Sequence, residues 1–316
     1  MSYAQYGLVE ATDYNNLIGN TSSTTANLLN TTWATGSGST GYGQTALANV
    51  SQGNQVTATQ WANLVNTTSN AALHQGSTIT SVTAPVSGGT ITFLSAIPTN
   101  LQTIYTNRLN AGSQGSTTAN AISTSTSWSN IATFTHTVTF ASGDAARYFF
   151  NAGGQLNITC SHPAGTGINL LLNNLASNVG TIVMSAPSSG TVSIVGTSYP
   201  GISKVGGGGN SPTISASTGY YSLTTSNATV FTQTASTGPS SYLGTFIRVI
   251  AKSNGPQGSN ADAGSIITLY TIWDEIPNGL AVASGSTVTC TARFPETTYI
   301  ANTVGSINIA GVVSVS

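Results

Sequence analysis

The hydrophobic rhythm of this chain changes once along its length, and that change limits the folds open to it. Through the first 115 residues, bulky apolar side chains recur three and four places apart: Tyr14 with Leu17 and Ile18, Trp61 with Leu64 and Val65, Leu101 with Ile104 and Tyr105. This spacing lines each set along one stripe of a helix. From about residue 127 the period is two instead. Phe134, His136, Val138 and Phe140 alternate with Thr133, Thr135, Thr137 and Thr139, a strand with one wet threonine face. The pattern predicts an α+β protein: a small helical N-terminal module over 1–115, then an all-β antiparallel sandwich or jelly-roll-like domain over 120–316.

Start signals place the helices near 12–33, 58–73 and 98–110. Thr12, Thr57 or Thr59, and Pro98 precede or open them, and an extended hairpin-like piece is expected around 79–95. Their polar faces carry Asn and Thr, mediocre helix formers, so these helices need neighbours to persist. The nine stripe residues Tyr14, Leu17, Ile18, Trp61, Leu64, Val65, Leu101, Ile104 and Tyr105 are therefore a candidate oligomerisation or anchoring face. In the second half, Arg147–Phe150 is expected to turn at Asn151–Gly154 and return through Leu156–Cys160 as a hairpin. Further strands are predicted at Thr181–Met184, Thr191–Val195, Tyr220–Leu223, Val230–Gln233, Leu243–Ala251, Ser265–Trp273, Thr287–Phe294 and Ser306–Val315. Ile266–Trp273 is apolar on both faces and is placed centrally. Ile168–Val179 is expected as a short helix, and Gly206–Gly209 as an exposed loop.

Charge is nearly absent. Six Lys or Arg face seven Asp or Glu in 316 residues, 4% of the chain where roughly 25% is ordinary. The six cations, Arg108, Arg147, Lys204, Arg248, Lys252 and Arg293, are scattered singly, which removes the basis for nucleic-acid or membrane-surface binding. No apolar run reaches a spanning length of about 20 residues, so no membrane insertion is expected. The opening Met1–Gly7 has neither a basic nor an apolar region, and no secretory leader is expected. A neutral surface of hydroxyls and amides favours association between copies.

Chemistry-bearing motifs are thin. Gly36-Ser-Gly38-Ser-Thr-Gly41 matches a dinucleotide fingerprint as a string, but a helix precedes it and no acid follows within 30 residues, so it reads as a turn. His74, His136 and His162 lack ligand partners at i+3 or i+4. His136 is expected in the core, His162 at a turn, and His74 at a helix end where positive charge suits the dipole. Asp274-Glu275 reads as a solvated strand-end pair, and Asp144 is expected to pair with Arg147. Cys160 and Cys290 read as two small buried hydrophobes, with a bridge between neighbouring strands as the alternative. No catalytic residue, cofactor or metal ligand is predicted. Tyr199, Tyr220 and Tyr221, beside Gly/Ser-rich loops, are candidate glycan contacts.

Three segments carry a resemblance: Ala11-Thr-Asp-Tyr-Asn-Asn-Leu17, Gly41-Tyr-Gly-Gln44 and Ala146-Arg-Tyr-Phe-Phe-Asn-Ala-Gly-Gly154. They resemble motifs in virion structural proteins of tailed phages, those of cyanophage-like myoviruses above all. The resemblance implies a particle component assembled in the host cytoplasm: a tail, baseplate or fibre protein. By analogy it implies a homotrimer or larger ring, partnered by other virion proteins. A receptor- or carbohydrate-binding adhesin that contacts a host-surface glycan, or a capsid decoration protein, is the alternative. No catalytic residue carries over.

Overall fold

The computed structural model describes residues 10–19, 29–89, 91, 95–257, 263–276 and 279–316. Four helices form the N-terminal part: α1 (Ala11–Ile18), α2 (Leu29–Trp33), α3 (Ala58–Gln75) and α4 (Ile97–Thr106). The expected 12–33 helix is interrupted, because α1 ends at Gly19, whose φ of 99° closes the helix in the left-handed region. Thr57 and Gln60 form a reciprocal cap at the start of α3, and Pro98 sits in the first turn of α4.

The apolar stripes pack on one another. Tyr14, Leu17, Ile18, Trp61, Leu64, Val65, Leu101 and Ile104 are buried in a single cluster, with the Tyr14 and Trp61 rings edge-on at 5.4 Å. This corrects the expectation of an association face, since eight of its nine residues are the module's own core. Tyr105 alone is half-buried, beneath the Arg108 guanidinium.

Extended chain is held to these helices by side-chain amides. Asn15 on α1 donates to the Val50 carbonyl at 2.8 Å and accepts from its N–H at 2.9 Å. Asn30 on α2 grips Leu47 in the same way, and Asn100 on α4 grips Thr80. Of the hairpin expected near 79–95, a turn at Val86–Gly89 is described, and most of the return arm lies outside the described residues. Thr80 finds its backbone partners in an amide rather than in a second strand.

Fifteen strands are described beyond residue 113: β1 (Gln114–Ser123), β2 (Trp128–Ser129), β3 (Ile131–Thr139), β4 (Gln155–Ser161), β5 (Thr181–Met184), β6 (Val192–Ile194), β7 (Thr197–Tyr199), β8 (Ile202–Val205), β9 (Thr213–Ile214), β10 (Ala228–Thr234), β11 (Phe246–Ser253), β12 (Ile266–Asp274), β13 (Ala281–Val282), β14 (Thr287–Pro295) and β15 (Asn308–Val315). Two antiparallel sheets, β1-β14-β4-β5-β8 and β15-β3-β12-β11-β10-β9, share one core. Phe134, Val249 and Leu269 meet Ile158, Val288 and Cys290 there. As its two-faced apolarity predicts, β12 lies inside its sheet, between β3 and β11.

Two helices, α5 (Gly143–Asn151) and α6 (Ile168–Val179), belong to this domain. The second is as expected; the first replaces the anticipated Arg147–Phe150 strand. Ser142 caps α5 by accepting the Ala145 N–H at 3.0 Å, and Ala146, Phe149 and Phe150 fall on its inner face at i, i+3 and i+4. Tyr220–Ser222 is likewise a 3₁₀ turn rather than a strand. The two thiols are free. Cys160 opposes Val288 and Cys290 opposes Ile158, so they share a face of neighbouring strands, and burial pushes both up to about 12.

Leu64→Ala and Leu101→Ala should each cost about 2–5 kcal/mol in chemical denaturation while leaving the molecular mass by light scattering unchanged. A change of oligomeric state without loss of stability would restore the association-face reading.

Candidate functional site

The most elaborate polar arrangement lies where the helical module meets the sandwich, around the loop at 36–44. Its carbonyls act as the acceptors. Arg147, 1% exposed, donates to the Thr40 carbonyl at 2.7 Å and to Asp144 at 3.1 Å, the pairing the sequence predicts. Asn151 Nδ2 lies 3.0–3.3 Å from the carbonyls of Gly38, Thr40 and Gly41. The Tyr221 hydroxyl sits 2.7 Å from the Gly38 carbonyl and also within hydrogen-bond reach of Asn151 Oδ1. From the helical side, Arg108 donates to the carbonyl and hydroxyl of Ser39, both at 2.8 Å.

The Gly41-Tyr-Gly-Gln44 motif supplies the rest of the seam. Tyr42 is 1% exposed; its hydroxyl donates to the Arg108 carbonyl and accepts from Gln75 Nε2 at 2.7 Å. Gln44 exchanges two hydrogen bonds of 2.9 Å with the backbone of Ala301, another amide clamp. Gly43 has φ +73°, and a Cβ there would lie 2.5 Å from the Tyr148 ring, so only glycine fits. Gly36–Gly41 is thus a turn, as predicted; its Ser39 and Thr40 carbonyls meet guanidinium groups, and those of Gly38 and Gly41 meet the Asn151 amide.

His74 completes the seam and corrects its expected role. It lies near the end of α3 but is fully buried. Its Nε2 is 3.1 Å from the Ala152 carbonyl, and its Nδ1 is 3.8 Å from the Glu296 carboxylate. Burial pulls its pKa below the ordinary 6.5, against the opposing pull of Glu296, so no positive charge serves the helix dipole. His136 is a core histidine as expected, bonded to the Asn120 carbonyl at 3.2 Å and lowered to about 4 by burial.

His162 belongs to a set that the sequence did not disclose. Its Nδ1 is 2.9 Å from Ser286 Oγ and its Nε2 is 3.0 Å from Asn169 Oδ1. Asn169 Oδ1 also accepts from the Ala283 N–H, so it is an acceptor and His162 Nε2 the donor. The Ser286 hydroxyl then faces a bare Nδ1, which is a nucleophile–base–orienter geometry. Ser286 is 0% exposed, and Trp128 Nε1 donates to its oxygen at 3.2 Å. A substrate has no approach to that hydroxyl, so the set serves to tie the end of β4 to α6 and the start of β14. Glu275 corrects another expectation: it is 0% exposed, with Oε2 accepting from the Leu280 N–H, while only Asp274 reaches solvent. Among the described residues, no three His, Cys, Asp or Glu side chains converge as a metal site.

The candidate glycan tyrosines are placed by packing. Tyr220 is 0% exposed and stacks on Phe150 at 4.3 Å, so it offers no face to a sugar. Tyr221 is committed to the seam through its hydroxyl. Tyr199, at the end of β7, is half-buried beside a small cluster of Ala111, Val192 and Ile194. No helix among the described residues is long and apolar enough to cross a membrane. No protein-family model matches this chain, and neither a curated protein nor a solved structure does.

Asn151→Ala strips a donor from the buried Gly41 carbonyl and the part-buried carbonyls of Gly38 and Thr40 and should cost about 1–3 kcal/mol, read as a lower urea midpoint with the slope unchanged. A second outcome concerns pH. Three buried histidines have folded-state pKa values below 6.5, so the unfolded chain binds protons first and stability falls as pH drops below 6.5. For His136 the loss runs down to about 4 and amounts to about 2 kcal/mol after discounting for screening. Urea titrations at pH 7 and 4.5 should show this drop, and His136→Gln should shrink it.

Proposed function

We propose that this chain is a non-enzymatic structural protein of a tailed-phage virion: a tail, baseplate or fibre component built from several copies. The observation that carries the reading is the disposition of the few cations. Arg108 and Arg147 bind the 36–44 loop; Arg248 lies over the Phe246 ring at 4.5 Å, and Lys252 over Tyr270 at 5.7 Å. Lys204 Nζ donates at 3.0 Å to both the Gly208 carbonyl and Gln233. Five of the six basic side chains are therefore held against their own chain, and the surface shown to a neighbour is mainly amide, hydroxyl and methyl. Such a surface meets little repulsion from a like copy. The resemblance of the Gly41–Gln44 and Ala146–Gly154 segments to phage virion proteins supplies the setting, and both segments lie in the seam. In this reading the helical module attaches to the particle and the sandwich faces outward.

Mass photometry of the purified full chain should show a multi-copy assembly that persists from 50 to 500 mM salt, because there are few ion pairs to screen. Gold-labelled antibody should decorate the tail of intact particles. A monomer at every concentration, or labelling confined to the capsid, would count against the proposal.

A further inference from the structure

Among the described residues, three asparagines on α3 carry the amide of such a clamp without a partner seated on it. Asn63, Asn66 and Asn70 project from the outer face of α3 into a groove of about 350 Å³, and none has a hydrogen-bond partner among the described residues. The opposite wall is the stretch Thr45–Ala48. Its Leu47 backbone is held by Asn30 on one side, and its neighbours Ala46 and Ala48 are exposed, with no backbone hydrogen bond among the described residues. In extended chain, successive residues direct their N–H and C=O groups to opposite sides, so Ala46 and Ala48 present the free edge. Half-buried Trp33 also lines the groove, together with Tyr14, which is 1% exposed and whose hydroxyl has no partner among the described residues. No lining residue is charged.

We infer that this groove receives an extended, uncharged segment from a second copy of the chain, paired on one side with the Ala46–Ala48 edge and gripped on the other by the α3 amides. The inference rests on the assembly reading above. Its chemistry is already realised four times within the molecule, where Asn15, Asn30, Gln44 and Asn100 hold Val50, Leu47, Ala301 and Thr80 through both backbone groups. The dimensions agree. Asn63 and Asn70 are seven residues apart, about 10.5 Å along a helix, which three extended residues span at roughly 3.3 Å each. Strand addition of this kind draws affinity from main-chain bonds and requires no charge on either partner. A chain with net charge −1 and long Ser/Thr/Asn stretches provides such segments in every copy.

The test is the full-length triple variant Asn63→Ala, Asn66→Ala, Asn70→Ala. Alanine is the better helix former at exposed Asn63 and Asn66 and half-buried Asn70, none of which has a side-chain partner among the described residues, so the fold is retained, with a thermal midpoint equal to or above that of the parent. Self-association measured by mass photometry should weaken tenfold or more. Ala48→Pro, which deletes an edge N–H, should act in the same direction. If the parent assembles and both variants assemble equally well, the groove inference is overturned and the assembly reading stands; a parent that is monomeric throughout overturns both. Should the triple variant assemble normally but lose saturation-transfer signals that the parent gives with maltohexaose, the groove is a saccharide site and the inference is likewise overturned.

Discussion

A primary amide facing a peptide unit can donate to its C=O and accept from its N–H at once, as a neighbouring strand would. Among the described residues this chain uses that match at four places. Asn15, Asn30 and Asn100 each fix one residue of a connecting segment to the helical core, and Gln44 fixes Ala301 across to the sandwich. Without its clamp the peptide group of buried Val50 would lose its partner, at about 1–3 kcal/mol. The helices themselves are short and built from residues of modest propensity. Their persistence depends on the stripe core, and the connecting chain depends on the clamps.

The seam applies the same economy to charge. A buried guanidinium requires compensation, and a chain with seven acids has few carboxylates to provide it. Arg147 has Asp144 on one side and the Thr40 carbonyl on the other, whereas Arg108 is held by carbonyls and a hydroxyl without any acid. The glycines of the 36–44 loop let its backbone turn carbonyls inward from several consecutive residues. Oriented peptide dipoles thus take the place of counter-ions. The helical module and the sandwich each have a hydrophobic core of their own, yet the seam makes the position of one depend on the folding of the other.

Much of this was legible in the sequence, and the exceptions have identifiable causes. The strands β3 and β14 announce themselves because threonine alternates with apolar residues along a sheet with one covered face, and β12 because its apolar residues fall on both faces. The stripe residues are visible in the sequence, but a stripe looks the same whether it is covered by its own chain or by another, so the pattern alone leaves Leu64 and Leu101 as candidates for an interface. The Asn151–Gly154 turn signal makes Arg147–Phe150 look like one arm of a hairpin, whereas the Ser142 cap and the Ala146, Phe149, Phe150 spacing carry the helical signal that prevails. Tyr220 and Glu275 sit beside turn residues that suggest exposure, and only tertiary packing buries them. The His162–Ser286–Asn169 set joins residues up to 124 positions apart, and local patterning does not encode such a meeting.

Low charge shapes both the interior and the exterior. Internally it forces polar satisfaction onto amides, hydroxyls and main chain, groups whose hydrogen bonds are directional and short-ranged. An error in backbone placement therefore loses the bond outright, whereas an ion pair would weaken gradually with distance. Such a fold is specified by geometry more than by long-range attraction. Externally the same groups remain after folding, on exposed helix faces and along segments such as Ala46–Ala48, with the bonding capacity that is satisfied inside. The surface thereby repeats the chemistry of the interior, and in the assembly proposed above a neighbouring copy would be recognised by the rules that already hold the chain to itself.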